Sequence, residues 1–184
     1  MPDSAIFLDR DGVIIENRAN YVRSWADVAI YPQALQALSA LKQWPGKIVI
    51  VTNQSVVGRG FLAMRDAEAI NERVVQEIEQ AGGRIDAVLM CPHAPDDHCD
   101  CRKPEPGLFL RASQALSIDL QRSIMIGDAL TDIIAARAAG VELAVLLRTG
   151  RGKKQLRLSA VQKMAPFAVY DTLSQALAQI CYNR

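Results

Sequence analysis

Acidic side chains follow the first and fourth apolar segments of the sequence. Asp9 and Asp11 come directly after Ala5–Leu8, and Asp128 comes just after Ser123–Ile126. Two carboxylates this close repel each other, and burial at a strand end raises their pKa. A divalent cation removes this cost, because Mg²⁺ prefers hard oxygen ligands. The pattern predicts a magnesium site held by Asp9 and Asp128; the alternative is a strand-end turn whose carboxylates cap helices.

Two further residues fit the binding of a phosphate group beside that cation. Thr52 directly follows the β-branched run Lys47–Val51, and Lys103 lies between Arg102 and Pro104. A hydroxyl, a positive charge and a metal ion together can stabilise a transferring phosphoryl group. A Lys-Pro pair alone is typical of a surface loop, so the prediction for Lys103 depends on the combination.

Three of the four cysteines lie within eleven residues, together with one histidine. Cys91, His93, Cys99 and Cys101 form a Cys₃His set, which suits a closed tetrahedral zinc site. We expect this zinc to be structural, because four protein ligands leave no position for a reacting water. A disulfide, buried free thiols, chance, or His98 as a replacement ligand are the alternatives.

Short apolar runs alternate with segments of helical periodicity, which predicts a parallel sheet with helices on both faces. The predicted strands are Ala5–Leu8, Lys47–Val51, Arg84–Met90, Ser123–Ile126 and Val141–Leu147. The predicted helices are Gln33–Gln43, Arg65–Gln80, Glu105–Leu116, Leu130–Ala139 and Thr172–Ile180. Since ligands bind beyond the carboxyl ends of such strands, the polar residues above are expected to meet there. The basic segment Arg148–Arg157 favours a solvated loop over a loop that contacts phosphate.

The composition is that of one folded domain, which we expect to span residues 1–184. Half of the 184 residues are hydrophobic and the formal net charge is +1. Such a charge gives no general attraction to nucleic acid or to an anionic membrane. No apolar run approaches the ~18 residues of a membrane span. Without a secretory signal pattern, we expect a cytoplasmic protein, and a monomer.

Four motifs in order resemble those of the haloacid dehalogenase superfamily of aspartate-nucleophile phosphatases. They are Asp9-Arg10-Asp11-Gly12, Thr52, Lys103, and Gly127-Asp128 with Asp132. Three longer strings are similar to the histidinol-phosphatase and D,D-heptose 1,7-bisphosphate phosphatase branch: Phe7–Gly12, Thr52–Ser55 and Cys99–Pro104. The resemblance implies a three-layer, Rossmann-like α/β domain with a mostly parallel sheet, a minimal cap, and a zinc-stabilised loop at about residues 91–104.

The resemblance also implies a role for each motif residue. Asp9 would attack phosphorus, and Asp11 would protonate the leaving oxygen and later activate water. Asp9, Asp128 and the backbone carbonyl of Asp11 would hold Mg²⁺, with Asp132 as support. Thr52 and Lys103 would steady the phosphoryl group. The implied substrate contacts are Arg18, Ala19, Asn20, Tyr21, Asn53, Gln54, Ser55 and Arg102.

Arg59, between Gly58 and Gly60, is a further candidate for a second phosphate or a hydroxyl, although an isolated arginine is more often solvated. The implied reaction is hydrolysis of a small sugar phosphate, with the 7-phosphate of D-glycero-D-manno-heptose 1,7-bisphosphate favoured. Histidinol phosphate, or another small monoester, is the enzymatic alternative. Two departures from the heptose branch count against the heptose substrate. Residue 129 is alanine where many members have lysine, and the zinc loop is shorter than in some members. A phospho-receiver signalling domain and a zinc-dependent interaction module are the alternatives outside this class.

Overall fold

The computed structural model describes residues 3–182, which form one six-stranded sheet with helices on both faces. The strand order is β3-β2-β1-β4-β5-β6, and every pairing among these strands is parallel. The strands are β1 Ala5–Leu8, β2 Lys47–Asn53, β3 Ala87–Cys91, β4 Ile124–Gly127, β5 Leu143–Leu147 and β6 Ala168–Tyr170. The Rossmann-like α/β class predicted from the sequence is confirmed.

Seven α-helices lie between or after these strands within the described range. They are α1 Pro32–Ala40, α2 Ser55–Gly58, α3 Met64–Gln80, α4 Gly107–Leu116, α5 Leu130–Ala138, α6 Gly152–Gln155 and α7 Leu173–Tyr182. Short 3₁₀ helices lie at Trp25–Asp27, Pro95–Asp97, Leu120–Arg122 and Ser159–Lys163. None of the helices between residues 3 and 182 combines the length and apolarity that crossing a bilayer requires.

Alternate side chains of each strand enter two separate cores, one on each face of the sheet. Ile6 and Leu8 of β1 pack in the core that α1, α3 and α7 cover, whereas Phe7 packs in the core under α4 and α5. This division follows from the two-residue period of a strand, whose successive side chains point to opposite faces. The continuous apolar strands seen in the sequence are therefore buried on both faces, as in parallel sheets generally.

Strands are added on one side of β1 as far as β3, and the chain then crosses to the other side of β1 to form β4, β5 and β6. Where the strand order reverses in this way, a crevice opens beyond the carboxyl ends of the two central strands, and α/β sheets bind their ligands there. Asp9 follows β1 directly, and Asp128 follows β4 directly. Leu8 pairs with Ile126, so the two aspartates emerge side by side at one edge of the sheet.

The predicted third strand began too early, at Arg84. The structure begins β3 at Ala87, because the Arg84 side chain turns back to the preceding loop instead of extending a strand. Its Nη2 donates to the carbonyls of Trp44 and Gly46, at 3.0 and 2.6 Å. The short elements β6, α2 and α6 were not predicted, since three or four residues carry too little periodicity to be recognised.

The packing of α4 on the sheet gives a test of the fold. The rings of Phe7 and Phe109 meet edge to face with centroids 5.0 Å apart, and Phe109 is fully buried. Phe109→Ala should lower the free energy of unfolding by about 3–5 kcal/mol, because it removes buried apolar area and leaves a cavity. Leu110→Ala is the matched control, since Leu110 is 49% exposed on the same helix. Urea denaturation measures both, and an equal loss for the two variants would contradict this packing.

Candidate active site

Three buried aspartates converge beyond the carboxyl ends of β1 and β4. Carboxylate oxygens of Asp9, Asp128 and Asp132 all lie within 4.8 Å of one another. Asp132 belongs to the first turn of α5, where its Oδ2 accepts from the backbone N–H groups of Asp128 and Ala129 at 3.1 and 3.0 Å. Asp132 therefore fixes the turn that presents Asp128.

Lys103 supplies the positive charge of this cluster. Its Nζ donates to Oδ1 of Asp9 at 2.9 Å and lies 2.7 Å from Oδ1 of Asp132, with its side chain 2% exposed. A third contact, at 2.7 Å, is to the carbonyl of Val51. Burial alone would lower the pKa of Lys103, but the charges of Asp132 and Asp9 outweigh it and raise the pKa to about 12. Lys103 is therefore a fixed cation at neutral pH.

Asn53 places Lys103 at this point, a role that the sequence interpretation missed. The Asn53 amide donates to the carbonyl of Lys103 and accepts from its N–H, both at 3.0 Å. This pair of bonds mimics strand pairing and ties the segment after the cysteine cluster to the end of β2. Asn53, predicted as a substrate contact, is thus also a support for the site lysine.

Asp11 lies apart from the three buried aspartates and is held by two neighbours. Its Oδ2 accepts from Nε of Arg10 and from Nε2 of Gln54, each at 2.9 Å. Gln54 also donates to the hydroxyl of Thr52 at 2.8 Å, so its amide joins two of the predicted catalytic residues. Arg10 is almost fully buried, and its Nη1 donates to Asn71 of α3 at 2.7 Å. Asp11 is consequently oriented by a network that extends into the core.

The donor set of the buried aspartates fits a hard divalent cation. Burial raises the pKa of Asp9 to about 7, even though Lys103 lowers it, and the neighbouring carboxylates of Asp132 and Asp128 raise it further. Burial likewise raises the pKa of Asp128. Three carboxylates against two cations, Lys103 and Arg151, leave one negative charge uncompensated, and a cation bound by carboxylate oxygens offsets it. Carboxylate oxygens are the ligands that Mg²⁺ prefers.

A cavity of about 460 Å³ opens over the cluster and collects most of the predicted site. Asp9, Asp11, Lys103 and Asp132 form part of its wall. The predicted substrate contacts that line it are Arg18, Ala19, Tyr21, Asn53, Gln54, Ser55, Arg59 and Arg102. Three of the residues predicted for the phosphate site do not line it, although all three are described. Thr52 and Asp128 are buried beneath the surface of the cavity, and Asn20 is exposed in the turn before Tyr21.

Arg151 also lines the cavity, and the sequence interpretation did not assign it to the site. Its Nη2 lies 3.1 Å from Oδ1 of Asp128, and its backbone N–H donates to Oδ2 at 2.7 Å. The segment from Arg148 to Arg157 is therefore not simply a solvated loop, because its centre packs on the cluster. The hydroxyl of Thr149 anchors it further by donating to the carbonyl of Gly12 at 2.6 Å.

The cysteine cluster forms a compact second site beside β3. The Sγ atoms of Cys91 and Cys101 are 3.0 Å apart, Cys91 and Cys99 are 3.7 Å apart, and Nδ1 of His93 lies 3.2 Å from Cys101. A tetrahedral zinc ion spaces such atoms about 3.5–3.8 Å apart. The four atoms thus fit one zinc after small adjustments. His98 is exposed and outside the cluster.

The pKa values of the thiols differ within this cluster. Burial raises the pKa of Cys91. Burial also opposes ionisation of Cys99, but the backbone N–H of Arg102 and the neighbouring thiols lower its pKa to about 7. Cys99 is thus the thiol that ionises most readily, and a thiolate is the form that binds zinc.

Comparisons with known proteins point to one family. The family model described as HAD-hydrolase-like matches residues 100–176. The heptose-1,7-bisphosphate 7-phosphatase of Pseudomonas aeruginosa is 35% identical over 85% of this chain and 87% of its own. That of Bordetella bronchiseptica is 39% identical over 82% of this chain and 84% of its own.

A solved structure is similar over almost the whole fold. It is the crystal structure of the D,D-heptose 1,7-bisphosphate phosphatase from B. bronchiseptica complexed with magnesium and phosphate. It superposes with a TM-score of 0.90 and 35% identity, covering 98% of this chain and 99% of the other.

The two histidines of the chain provide a matched test of the cysteine cluster. His93→Ala should lose zinc and lower the unfolding temperature, because three thiolates alone leave the tetrahedron incomplete. His98→Ala should keep near one zinc per chain, since its ring lies outside the cluster. Elemental analysis of protein purified without chelator measures both. Wild-type protein without zinc, or equal zinc loss in both variants, would contradict a Cys₃His site.

Proposed function

Because the chain belongs to the D,D-heptose 1,7-bisphosphate phosphatase branch of the haloacid dehalogenase superfamily, we propose that it removes the 7-phosphate of D-glycero-D-manno-heptose 1,7-bisphosphate. The enzyme is a phosphoric monoester hydrolase that depends on Mg²⁺. The observation that carries the proposal is the charge arrangement of the cavity: Asp9 and Lys103 meet at 2.9 Å on its floor, with Asp128 and Asp132 beside them.

In the proposed reaction, a carboxylate oxygen of Asp9 attacks phosphorus while the bond from phosphorus to the sugar oxygen breaks. Asp11 donates a proton to that oxygen, which leaves as the sugar hydroxyl. Asp11 then takes a proton from water, whose oxygen attacks phosphorus and returns Asp9 as a carboxylate. Splitting one displacement into two in this way is covalent catalysis with a single acid–base group.

The surrounding residues orient these two aspartates and the phosphoryl group. Lys103 fixes one oxygen of Asp9 and neutralises part of the charge that gathers there. The side-chain amide of Gln54 donates to both Asp11 and the hydroxyl of Thr52, which fixes the position of the acid relative to the hydroxyl. Asp9, Asp128 and the carbonyl of Asp11 would hold Mg²⁺. When bound, Mg²⁺ supplies the positive charge that keeps Asp9 ionised and neutralises phosphate oxygens.

The rim of the cavity supports a substrate with a second phosphate. Arg18, Arg59 and Arg102, which we call the rim, line the cavity in addition to the aspartates, and guanidinium groups pair well with phosphate. Histidinol phosphate instead carries an amine, which such a rim repels. The rim therefore favours the sugar bisphosphate over the histidinol-phosphatase alternative. The position of Asp11 in the cavity wall likewise favours hydrolysis over the stable phosphoaspartate of a receiver domain.

We also propose a monomeric enzyme that works in the cytoplasm. The three described cysteines are free thiols gathered within 3.7 Å of one another. Such a cluster stays reduced, and able to bind zinc, in a reducing compartment. Sedimentation of the purified protein and fractionation of cells test these two points.

A comparison of substrates tests the proposed function. With Mg²⁺ present, kcat/KM for the heptose 1,7-bisphosphate should exceed that for histidinol phosphate by about 10–100-fold, the scale of one added charge-assisted contact. Phosphorus NMR of the product should show the 1-phosphate intact. A preference for histidinol phosphate, or loss of the 1-phosphate first, would contradict the proposal, and turnover that persists in EDTA would contradict its metal dependence.

The role of Asp11 gives a second test, because protonation matters most for poor leaving groups. Asp11→Asn should slow the phosphorylation step for an alkyl phosphate by about 10²–10⁴-fold. For an aryl phosphate with an acidic phenol, the loss should be much smaller. Asp171→Asn is the control, since Asp171 is exposed and pairs with Arg148. Single-turnover rates measure the step; equal losses for both substrates would exclude Asp11 as the acid.

A further inference from the structure

Arg151 contacts Asp128 in two independent ways. Its backbone N–H donates to Oδ2 at 2.7 Å, whereas its guanidinium approaches Oδ1 through Nη2 at 3.1 Å and Oδ2 through Nε at 3.5 Å. The backbone contact is fixed by the packing of Gly150 against Gly12 and by the hydrogen bond from Thr149. The guanidinium is therefore not needed to hold Asp128 in place.

The two partners differ strongly in exposure. The side chain of Asp128 is fully buried, whereas that of Arg151 is 51% exposed and lines the cavity. One end of this ion pair is thus fixed, and the other is free to turn into the space where substrate binds.

A cation at Asp9 and Asp128 would compete with the guanidinium of Arg151 for Asp128. Arg151 occupies both oxygens of Asp128 through its side chain and backbone. A divalent ion needs one of these oxygens and would place like charge beside the guanidinium, which costs free energy at such short range. The backbone N–H can keep Oδ2, so the side chain is the group that must leave.

The other carboxylates that line the cavity are already paired with cations, so none of them can replace Asp128 as a partner for the displaced guanidinium. Asp9 and Asp132 are both paired with Lys103, and Asp11 is paired with Arg10. The remaining anion at this cavity is the phosphate that the proposed function brings there. Arginine binds phosphate through two parallel hydrogen bonds, which suits a side chain anchored at the cavity wall.

We propose that Arg151 exchanges partners during the reaction cycle. Without metal it neutralises Asp128, and with metal bound its guanidinium turns to a phosphate oxygen of the substrate. The inference rests on the proposed function for its second half only, because the exchange at Asp128 concerns the cation alone.

The proposal predicts two effects of opposite direction for Arg151→Met. Mg²⁺ binding in the absence of phosphate, measured by calorimetry, should become roughly tenfold tighter, because a competing charge is removed. The KM for substrate should rise by roughly tenfold, the scale of one lost charge-assisted hydrogen bond. Arg151→Lys keeps the charge, so its Mg²⁺ affinity should stay near wild type while its KM falls between the two. Arg148→Met should change neither value, since Arg148 pairs with Asp171 away from the cavity.

The Mg²⁺ affinity and the KM of the Arg151 variants together distinguish an exchange of partners from a purely structural role. Weaker Mg²⁺ binding together with a raised KM would make Arg151 a support for Asp128 and overturn the proposal, as would no change in either value. Circular dichroism excludes misfolding, and Arg151→Gln, which also removes the charge and has the same two expected effects, replaces the methionine variant if that variant does not fold. Wild-type protein that hydrolyses no phosphate ester would refute the proposed function instead, and the Mg²⁺ titration would still test the exchange at Asp128.

Discussion

The site depends on one buried ammonium group placed between two buried carboxylates. Nζ of Lys103 lies 2.9 Å from Asp9 and 2.7 Å from Asp132, and all three side chains are at most 5% exposed. Removing one member of such a group leaves an uncompensated buried charge, which costs about 3–5 kcal/mol. Lys103 therefore links β1, α5 and the loop after β3, and it keeps the carboxylates close enough to share a cation.

Much of the remaining structure serves to bring Lys103 to this position. The lysine follows the cysteine cluster by two residues, and Asn53 holds its backbone at the end of β2. The cluster is itself attached to the turn after β2, because the carbonyls of Cys91 and Pro92 accept from the backbone of Gln54 and Gly58. A zinc ion at the cluster would therefore act on the phosphate site through the position of Lys103, without taking part in the reaction.

Elements with a strong local pattern could be predicted from the sequence, and so could the aspartates at their ends. β1, β2 and β4 are continuous apolar runs, and the parallel order places Asp9 beside Asp128. The cysteine cluster was predictable because its four ligands lie within eleven residues. The motif resemblance extended this to Lys103, whose contact with Asp9 joins residues 94 positions apart.

The features that could not be predicted depend on contacts between distant loops. Arg151 belongs to a basic, glycine-containing segment that resembles a solvated loop. Its packing follows from hydrogen bonds to distant residues, from Thr149 to Gly12 and from Arg151 to Asp128. The support that Asn53 gives to Lys103 has no local signal, because an asparagine at a strand end fits a substrate contact equally well. β6 is three residues long at the sheet edge, which is too short for its period to appear.

The central claim is that Asp9 forms a covalent bond to the transferred phosphoryl group. Acid quenching of a single turnover, followed by proteolysis and mass spectrometry, tests it most directly, because an acyl phosphate survives briefly at low pH. The account predicts one phosphoryl group on the peptide that contains residue 9, and none when Asp9→Asn protein is treated in the same way. Rapid turnover with no phosphorylated peptide at any quench time, or a phosphoryl group on another residue, would contradict the account.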